Sequence, residues 1–125
     1  MSTAAILTGV IEIKRVLRRM RGSSQACLVE GADGECYVTK FQRNPQGTRT
    51  LINEWITWRI LERLDISTPE IRLLRLSEST RDVSDDSYFS LAHRQVKIEP
   101  GLHLGSRCPV DPRNTAIFDF LPQKL

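Results

Sequence analysis

The stretch "CYVTKFQRNPQGTRTLINEW", residues 36–55, places a strand, a loop and the start of a helix in direct succession. Tyr37, Val38 and Phe41 are aromatic or β-branched, which favours a strand. Lys40 lies inside the same run, beside its most hydrophobic part. A strand lysine usually faces solvent. The alternative is a lysine that binds an anion, and the surrounding sequence must then supply a group that orients it.

The residues before this stretch predict the other half of a β-hairpin. Ala26–Glu30 and Glu35–Phe41 have the composition of strands, and "GADG" between them supplies Asp33-Gly34 for a tight turn. The polar "RGSSQ", residues 21–25, separates this hairpin from the N-terminal part of the chain.

Residues 10–21 fit two patterns. Apolar side chains recur at helical spacing at Ile13, Val16, Leu17 and Met20, whereas "IEIKRV" alternates as a strand does. We favour a helix for this segment.

A helix is predicted from Thr48 or Thr50 to about Leu64, and Pro69 prevents its continuation. Large apolar residues cover most of its helical wheel, so we expect burial on more than one side. These residues are Leu51, Ile52, Trp55, Ile56, Trp58, Ile60, Leu61 and Leu64.

Three further strands are predicted at 71–76, 88–91 and 95–98, with a polar surface loop at 77–87. The stretch after Gly101 shows little periodicity, and no strand is predicted there. The expected fold class is α+β: a small antiparallel sheet with one long helix packed on it.

Bulk composition indicates one ordinary globular domain. The chain has 125 residues, 40% of them hydrophobic, and a net charge of +3. Three isolated cysteines (Cys27, Cys36, Cys108) and two histidines do not suggest a metal centre, and they fit reduced thiols in a cytoplasmic protein. No segment has the pattern of a signal peptide or a membrane span.

Lys40 has two candidate carboxylate partners on the following helix. Glu54 and Glu62 each fall in an apolar arc of the helical wheel, where an unpaired charge is costly. The wheel alone does not choose between them. Glu62 is near the helix end, where solvent lowers that cost, so Glu54 is the preferred partner.

The ordered combination resembles the HipA-like kinases of bacteria. The resemblance rests on the Gly/Ser break at 21–25, the V-x-K-F pattern at 38–41, the G-x-x-x-L-x-N-E helix start at 47–54 and Pro69. It covers roughly residues 10–125, since "GLHLGSR" and "DPRNTAIFDF" are also similar to that family. It implies a protein-kinase-like N-terminal lobe in a single domain of residues 1–125. The lobe itself would span about 10–100, and 101–125 would begin the inter-lobe segment.

The resemblance implies that Lys40 binds the α- and β-phosphates of ATP and that Glu54 holds the lysine in place. Ser23 and Ser24 fall where a phosphate-covering loop would lie. The "RGSSQ" break has one glycine, so it departs from the G-x-G-x-x-G of ordinary kinases.

The groups that complete phosphoryl transfer in kinase-like folds, a D-x-x-x-x-N segment and a later metal-binding aspartate, have no match in this sequence. Asp111 and Asn114 are three residues apart rather than five, and Asp119-Phe120 is followed by Leu121, so it only imitates D-F-G. We expect "DPRNTAIFDF" to be a capped helical turn or a docking segment. We therefore predict no catalytic or metal-binding residue, and an ATP-binding lobe that is truncated and inactive alone. ATP binding would be weak, and Mg²⁺ is expected only with the catalytic half.

Two alternatives remain. A non-catalytic regulatory or interaction module would use the Trp-rich helix or "IFDFLP" to bind a catalytic lobe, another protein or itself. Nucleic-acid binding is disfavoured because no aromatic residues interleave with the basic ones. Those basic residues are Lys14, Arg15, Arg18, Arg19 and Arg21.

Overall fold

The computed structural model describes residues 9–116. Its strands are β1 (Ile11–Arg19), β2 (Cys27–Gly31), β3 (Cys36–Lys40), β4 (Ile71–Leu76), β5 (Tyr88–Leu91), β6 (Arg94–Lys97) and β7 (Gly101–Arg107). Its helices are α1 (Arg49–Arg63) and α2 (Glu78–Asp82). Five strands form a closed barrel in the order β1-β2-β3-β7-β4, and β5 and β6 form a separate two-stranded sheet.

The closed barrel corrects the predicted fold class. The expected small antiparallel sheet with one long packed helix, a protein-kinase-like N-lobe, was wrong: the described chain is mostly sheet with a short helix outside it. Closure depends on β1 pairing parallel with β4, where Ile11 lies opposite Leu74. Strands so far apart in sequence leave no local signal of their pairing.

β1 is a strand, so the helix favoured for residues 10–21 was wrong. Its pairing with β2 shifts register between Ile13 and Arg15 and again between Val16 and Arg18. The first irregularity adds a residue to β1, so the core-facing Ile13 and Val16 are three residues apart. The bulged strand thereby imitates helical spacing.

The barrel encloses the main hydrophobic core. Tyr37, Phe41 and Leu74 are among its fully buried side chains, and the β5–β6 hairpin adds Phe89 to the same cluster. The rings of Phe41 and Phe89 meet edge to face, 6.2 Å apart.

β7 completes the barrel between β3 and β4, in a region where no strand was predicted. Gly101 and Gly105 weaken the strand pattern there. Gly105 is required by packing, because a Cβ at this position would lie 2.5 Å from Cδ1 of Leu74. Residues 101–107 are thus part of the barrel.

The predicted hairpin and helix are confirmed within a residue or two: β2 and β3 form the hairpin, and α1 ends at Arg63. Thr48 is the N-cap residue, although its side chain makes no capping hydrogen bond. The expected burial on several sides was wrong. Only Leu51 and Trp58 of α1 are buried, and they pack on the outside of the barrel in a second cluster with Ile71 and Leu104.

The remaining elements are largely as expected. β4 and β5 match their predicted bounds, and β6 begins and ends one residue earlier than predicted. The predicted loop at 77–87 contains the short α2, capped by Ser77, whose hydroxyl accepts a hydrogen bond from the Thr80 backbone N–H. Within residues 9–116, no helix has the length and apolar character needed to cross a membrane.

Candidate functional site

Lys40 is the last residue of β3, and its side chain leaves the barrel on the outside. Tyr37, Thr39 and Phe41 are buried in the interior, whereas Val38 and Lys40 are only half-buried. This alternation is the period-2 pattern of a strand with one face in the core. The outward face is the one on which α1 packs, so Lys40 extends toward the helix.

Lys40 forms a hydrogen-bonded ion pair with Glu54. Its Nζ donates to Oε1 of Glu54, and the two side chains are 28% and 37% exposed. Glu62, the other candidate, instead pairs with Arg59 at 2.8 Å. The structure therefore decides the choice that the helical wheel left open. A partly exposed pair contributes about 1 kcal/mol or less to stability, so its main effect is to orient the ammonium.

Buried contacts on the inner side of α1 hold Glu54 in place. Leu51 and Trp58 pack against Ile71 and Leu104, and the Trp55 and Trp58 rings lie 5.6 Å apart. Glu54 lies between these anchors, so its carboxylate is held near the end of β3.

Asn44 organises the loop that joins β3 to α1. Its buried side-chain amide donates to the Phe41 carbonyl at 2.8 Å and to the Thr50 hydroxyl at 3.1 Å. Its Oδ1 accepts from the Gln46 backbone N–H at 2.8 Å. These bonds tie the end of β3 to the first turn of α1. Asn44 was not among the predicted site residues, although Asn-Pro is a recognised turn signal.

Ser23 and Ser24 lie in the turn before β2. The Ser23 hydroxyl accepts a hydrogen bond from the Gln46 side chain, and Ser24 is half-buried. Among residues 9–116, neither serine is hydrogen-bonded to Lys40 or Glu54. Because β2 and β3 are antiparallel, with Cys27 opposite Thr39, this turn lies at the same end of the sheet as Lys40.

The 21–25 turn is an ordered feature rather than a plain polar break. Gly22 has φ 132° and Gln25 has φ 52°, conformations that require a glycine or are uncommon for other residues. Oε1 of Gln25 accepts from the Ser90 backbone N–H and from the Arg19 guanidinium, each at 2.7 Å.

The carboxylate of Asp111 is hydrogen-bonded to residues of its own turn. It accepts from Arg113 Nε at 2.8 Å and from the Asn114 side-chain amide at 3.2 Å. The Arg113 hydrogen bonds lower the pKa of Asp111. Residues 117–122, which include Asp119-Phe120-Leu121 and "IFDFLP", lie outside the described residues. In the described part of the chain, no three His, Cys, Asp or Glu side chains group as metal ligands would.

A strand lysine held by a glutamate of the following helix is an arrangement typical of kinase-related domains. The family model described as HipA-like kinase matches residues 10–106. The chain therefore belongs to the HipA-like kinase family, which confirms the resemblance of its motifs. Comparisons with curated proteins and with solved structures returned no match.

Proposed function

We propose that this domain binds the phosphates of ATP through Lys40, with Glu54 orienting the lysine. The observation that carries the proposal is the Lys40–Glu54 ion pair. A lysine ammonium has three N–H donors, and among the described residues Glu54 is its one partner. The Lys40 side chain is also 28% exposed, so N–H donors of its ammonium remain for phosphate oxygens.

The turn at 21–25 supports the same proposal from the neighbouring strand. It lies at the Lys40 end of the sheet and is hydrogen-bonded to the β3–α1 loop through Ser23 and Gln46. Hydroxyl groups and free backbone N–H groups there suit anionic oxygens. Ser23 and Ser24 are accordingly proposed as secondary phosphate contacts.

The proposed role is binding and not phosphoryl transfer. Transfer needs a carboxylate near the attacking hydroxyl and ligands for Mg²⁺, and the described residues do not group such ligands. Those groups would come from a catalytic lobe, and Mg²⁺ would join the site with them. Binding by this domain alone is expected to be weak, because one lysine supplies little charge against a triphosphate.

Isothermal titration with ATP tests the proposal. Lys40→Met should weaken binding at least tenfold, because the ammonium is the main cationic contact. Lys97→Met is the matched control, since Lys97 is 75% exposed and only loosely paired with Asp82 at 3.9 Å. Equal affinity of Lys40→Met and the unaltered protein, or absence of binding even with an added catalytic lobe, would refute the nucleotide role.

A further inference from the structure

The solvent side of α1 carries a row of large apolar residues. Ile52, Ile56 and Ile60 follow one another at intervals of four residues and are 55%, 50% and 53% exposed. Leu64, just beyond the helix, extends the row and is 63% exposed. Side chains four apart lie on one helix face, so these residues form a continuous patch, here called the isoleucine row. Contiguous apolar patches of this kind mark interaction sites.

Two arginines flank the isoleucine row symmetrically. Arg49 and Arg63 lie seven residues before and after Ile56, which is two helical turns, so they share its face. Both are exposed, and neither forms an ion pair within residues 9–116. Their Cα atoms are about 21 Å apart at 1.5 Å rise per residue. The row is thus bounded at each end by a cation that forms no ion pair in the described structure.

An apolar groove adjoins the row. A cavity of about 340 Å³ lies between α1 and strands β4 and β7, and its lining includes Leu51, Ile52, Trp55, Leu73 and Leu102. Ile52 belongs to both features, so the apolar surface continues from the row into the groove. A groove beside an exposed helix face can receive an anchoring side chain of a docked helix.

A second copy of the chain fits this surface poorly. An antiparallel helix pair with its two-fold axis at Ile56 would match Ile52 with Ile60 of the other copy. The same pairing would place Arg49 opposite Arg63, which juxtaposes like charges at both ends. Such contacts oppose association and select against wrong partners. The surface is complementary instead to a helix with the same apolar spacing and carboxylates at its flanks.

We propose that the isoleucine row and its groove bind an acidic amphipathic helix of another protein. The apolar side chains of that helix pack on the row, and its flanking carboxylates pair with Arg49 and Arg63. This surface is independent of the proposed ATP site, because Glu54 lies about 160° around α1 from Ile56. A negative result for one of these two binding sites therefore does not contradict the other.

A set of three synthetic helical peptides tests the proposal by fluorescence anisotropy. All three carry leucines at intervals of four residues, and their flanking positions are Glu, Gln or Lys. The Glu peptide should bind at least tenfold more tightly than the Lys peptide, with affinity that falls as salt screens the charges. Equal affinity for the Glu and Lys peptides, or no binding of the Glu peptide, would overturn the proposal.

Substitutions on α1 locate the binding surface. Ile56→Asp and the milder Ile56→Ala should weaken binding of the Glu peptide, because both remove apolar contact from an exposed position that the fold does not need. The double variant Arg49→Glu, Arg63→Glu should reverse the preference toward the Lys peptide. Val83→Asp is the matched control, since Val83 is 82% exposed on a different part of the surface, and it should bind as the unaltered protein does.

Two further measurements test whether the isoleucine row binds a second copy of the chain or a lipid surface instead. Light scattering at increasing concentration should give a monomer, and a dimer abolished by Ile56→Asp would assign the row to self-association instead. Sedimentation with phosphatidylserine–phosphatidylcholine vesicles should show no binding, and vesicle binding lost in the double arginine variant would assign it to a lipid surface. Circular dichroism confirms that each variant remains folded, and unchanged ATP titration of Ile56→Asp confirms that the two sites are separate.

Discussion

Lys40 and Glu54 are 14 residues apart in the chain, yet their side chains form one ion pair. The pairing depends on where β3 ends and on how α1 is rotated about its own axis. Asn44 contributes to both, since its side chain bonds the end of β3 and the first turn of α1. The geometry of the candidate site therefore depends on Asn44, which is not itself a proposed ATP contact, as well as on Lys40 and Glu54.

The carboxylate of Glu54 can be tested separately from the lysine. Glu54→Gln should weaken ATP binding several-fold, because the amide holds the ammonium less firmly and Lys40 loses its fixed direction. Glu62→Gln is the matched control, since Glu62 lies on the same helix and pairs with Arg59. Isothermal titration distinguishes them, and an equal loss in both variants would point to a general effect on α1.

His103 makes the stability of the barrel depend on pH. Its ring is buried, Nδ1 accepts from the Gln42 backbone N–H at 3.0 Å, and Nε2 is 2.9 Å from the Glu99 carbonyl oxygen. Burial lowers the pKa of His103 in the folded protein. The neutral ring is required because a protonated Nδ1 cannot accept the Gln42 hydrogen bond.

The folded protein should therefore lose stability as the pH falls below about 6.5, the ordinary pKa of an unfolded histidine. Below that value the unfolded chain binds a proton that the folded chain resists, and a single proton limits the loss to at most about 1.4 kcal/mol per pH unit. Urea unfolding at several pH values measures this slope. His103→Gln should reduce this dependence of the unfolding free energy on pH. His93→Gln, at an exposed position, should leave it unchanged. An unchanged slope in His103→Gln would contradict this assignment.

At the scale of elements, β7 requires a glycine at its centre. Gly105→Ala should destabilise the protein by about 1–3 kcal/mol, because the added Cβ would lie 2.5 Å from Leu74 Cδ1 and 3.2 Å from Tyr37 Cβ. Urea unfolding gives the value. A second substitution, Leu74→Val, should cost less in the Gly105→Ala background than alone, since it removes the crowding atom. Additive effects of the two substitutions would contradict direct contact.

Elements also show where local patterns mislead. β1 contains a register irregularity between Ile13 and Arg15 that sets Ile13 and Val16 three residues apart, so its spacing favours a helix. α1 carries apolar residues around its circumference, but the barrel covers only one side of it, and Ile56 stays half exposed. In both segments the prediction from apolar spacing was wrong, because the surface that the segment packs against determines its structure and burial.

At the scale of the molecule, the closed barrel encloses its core. Cys27 is 0% exposed in that interior, and burial raises the pKa of its thiol to about 12. In the variant Cys36→Ser, Cys108→Ser, where Cys27 is the remaining cysteine, we expect an aromatic disulfide reagent to label the folded protein at least a thousandfold more slowly than the unfolded chain. Labelling then requires the rare opening of the whole barrel.

The control for that measurement keeps Cys108 alone, through Cys27→Ser and Cys36→Ser, because Cys108 is only half-buried. It should react faster than Cys27 in the same buffer. Rapid labelling of Cys27 without denaturant would show that the barrel opens locally and would contradict closure as the source of protection.

The sequence by itself determined the β2–β3 hairpin, the helix that follows and the family, and it favoured Glu54 over Glu62 as the partner of Lys40. These features rest on composition and spacing over a few residues, where turn residues and strand or helix preferences act directly. The tertiary structure alone decided that β1 and β4 close a barrel and that the isoleucine row faces solvent, and it confirmed the ion pair between Lys40 and Glu54. Those outcomes depend on contacts between residues far apart in the chain, whose burial and charge no local pattern records.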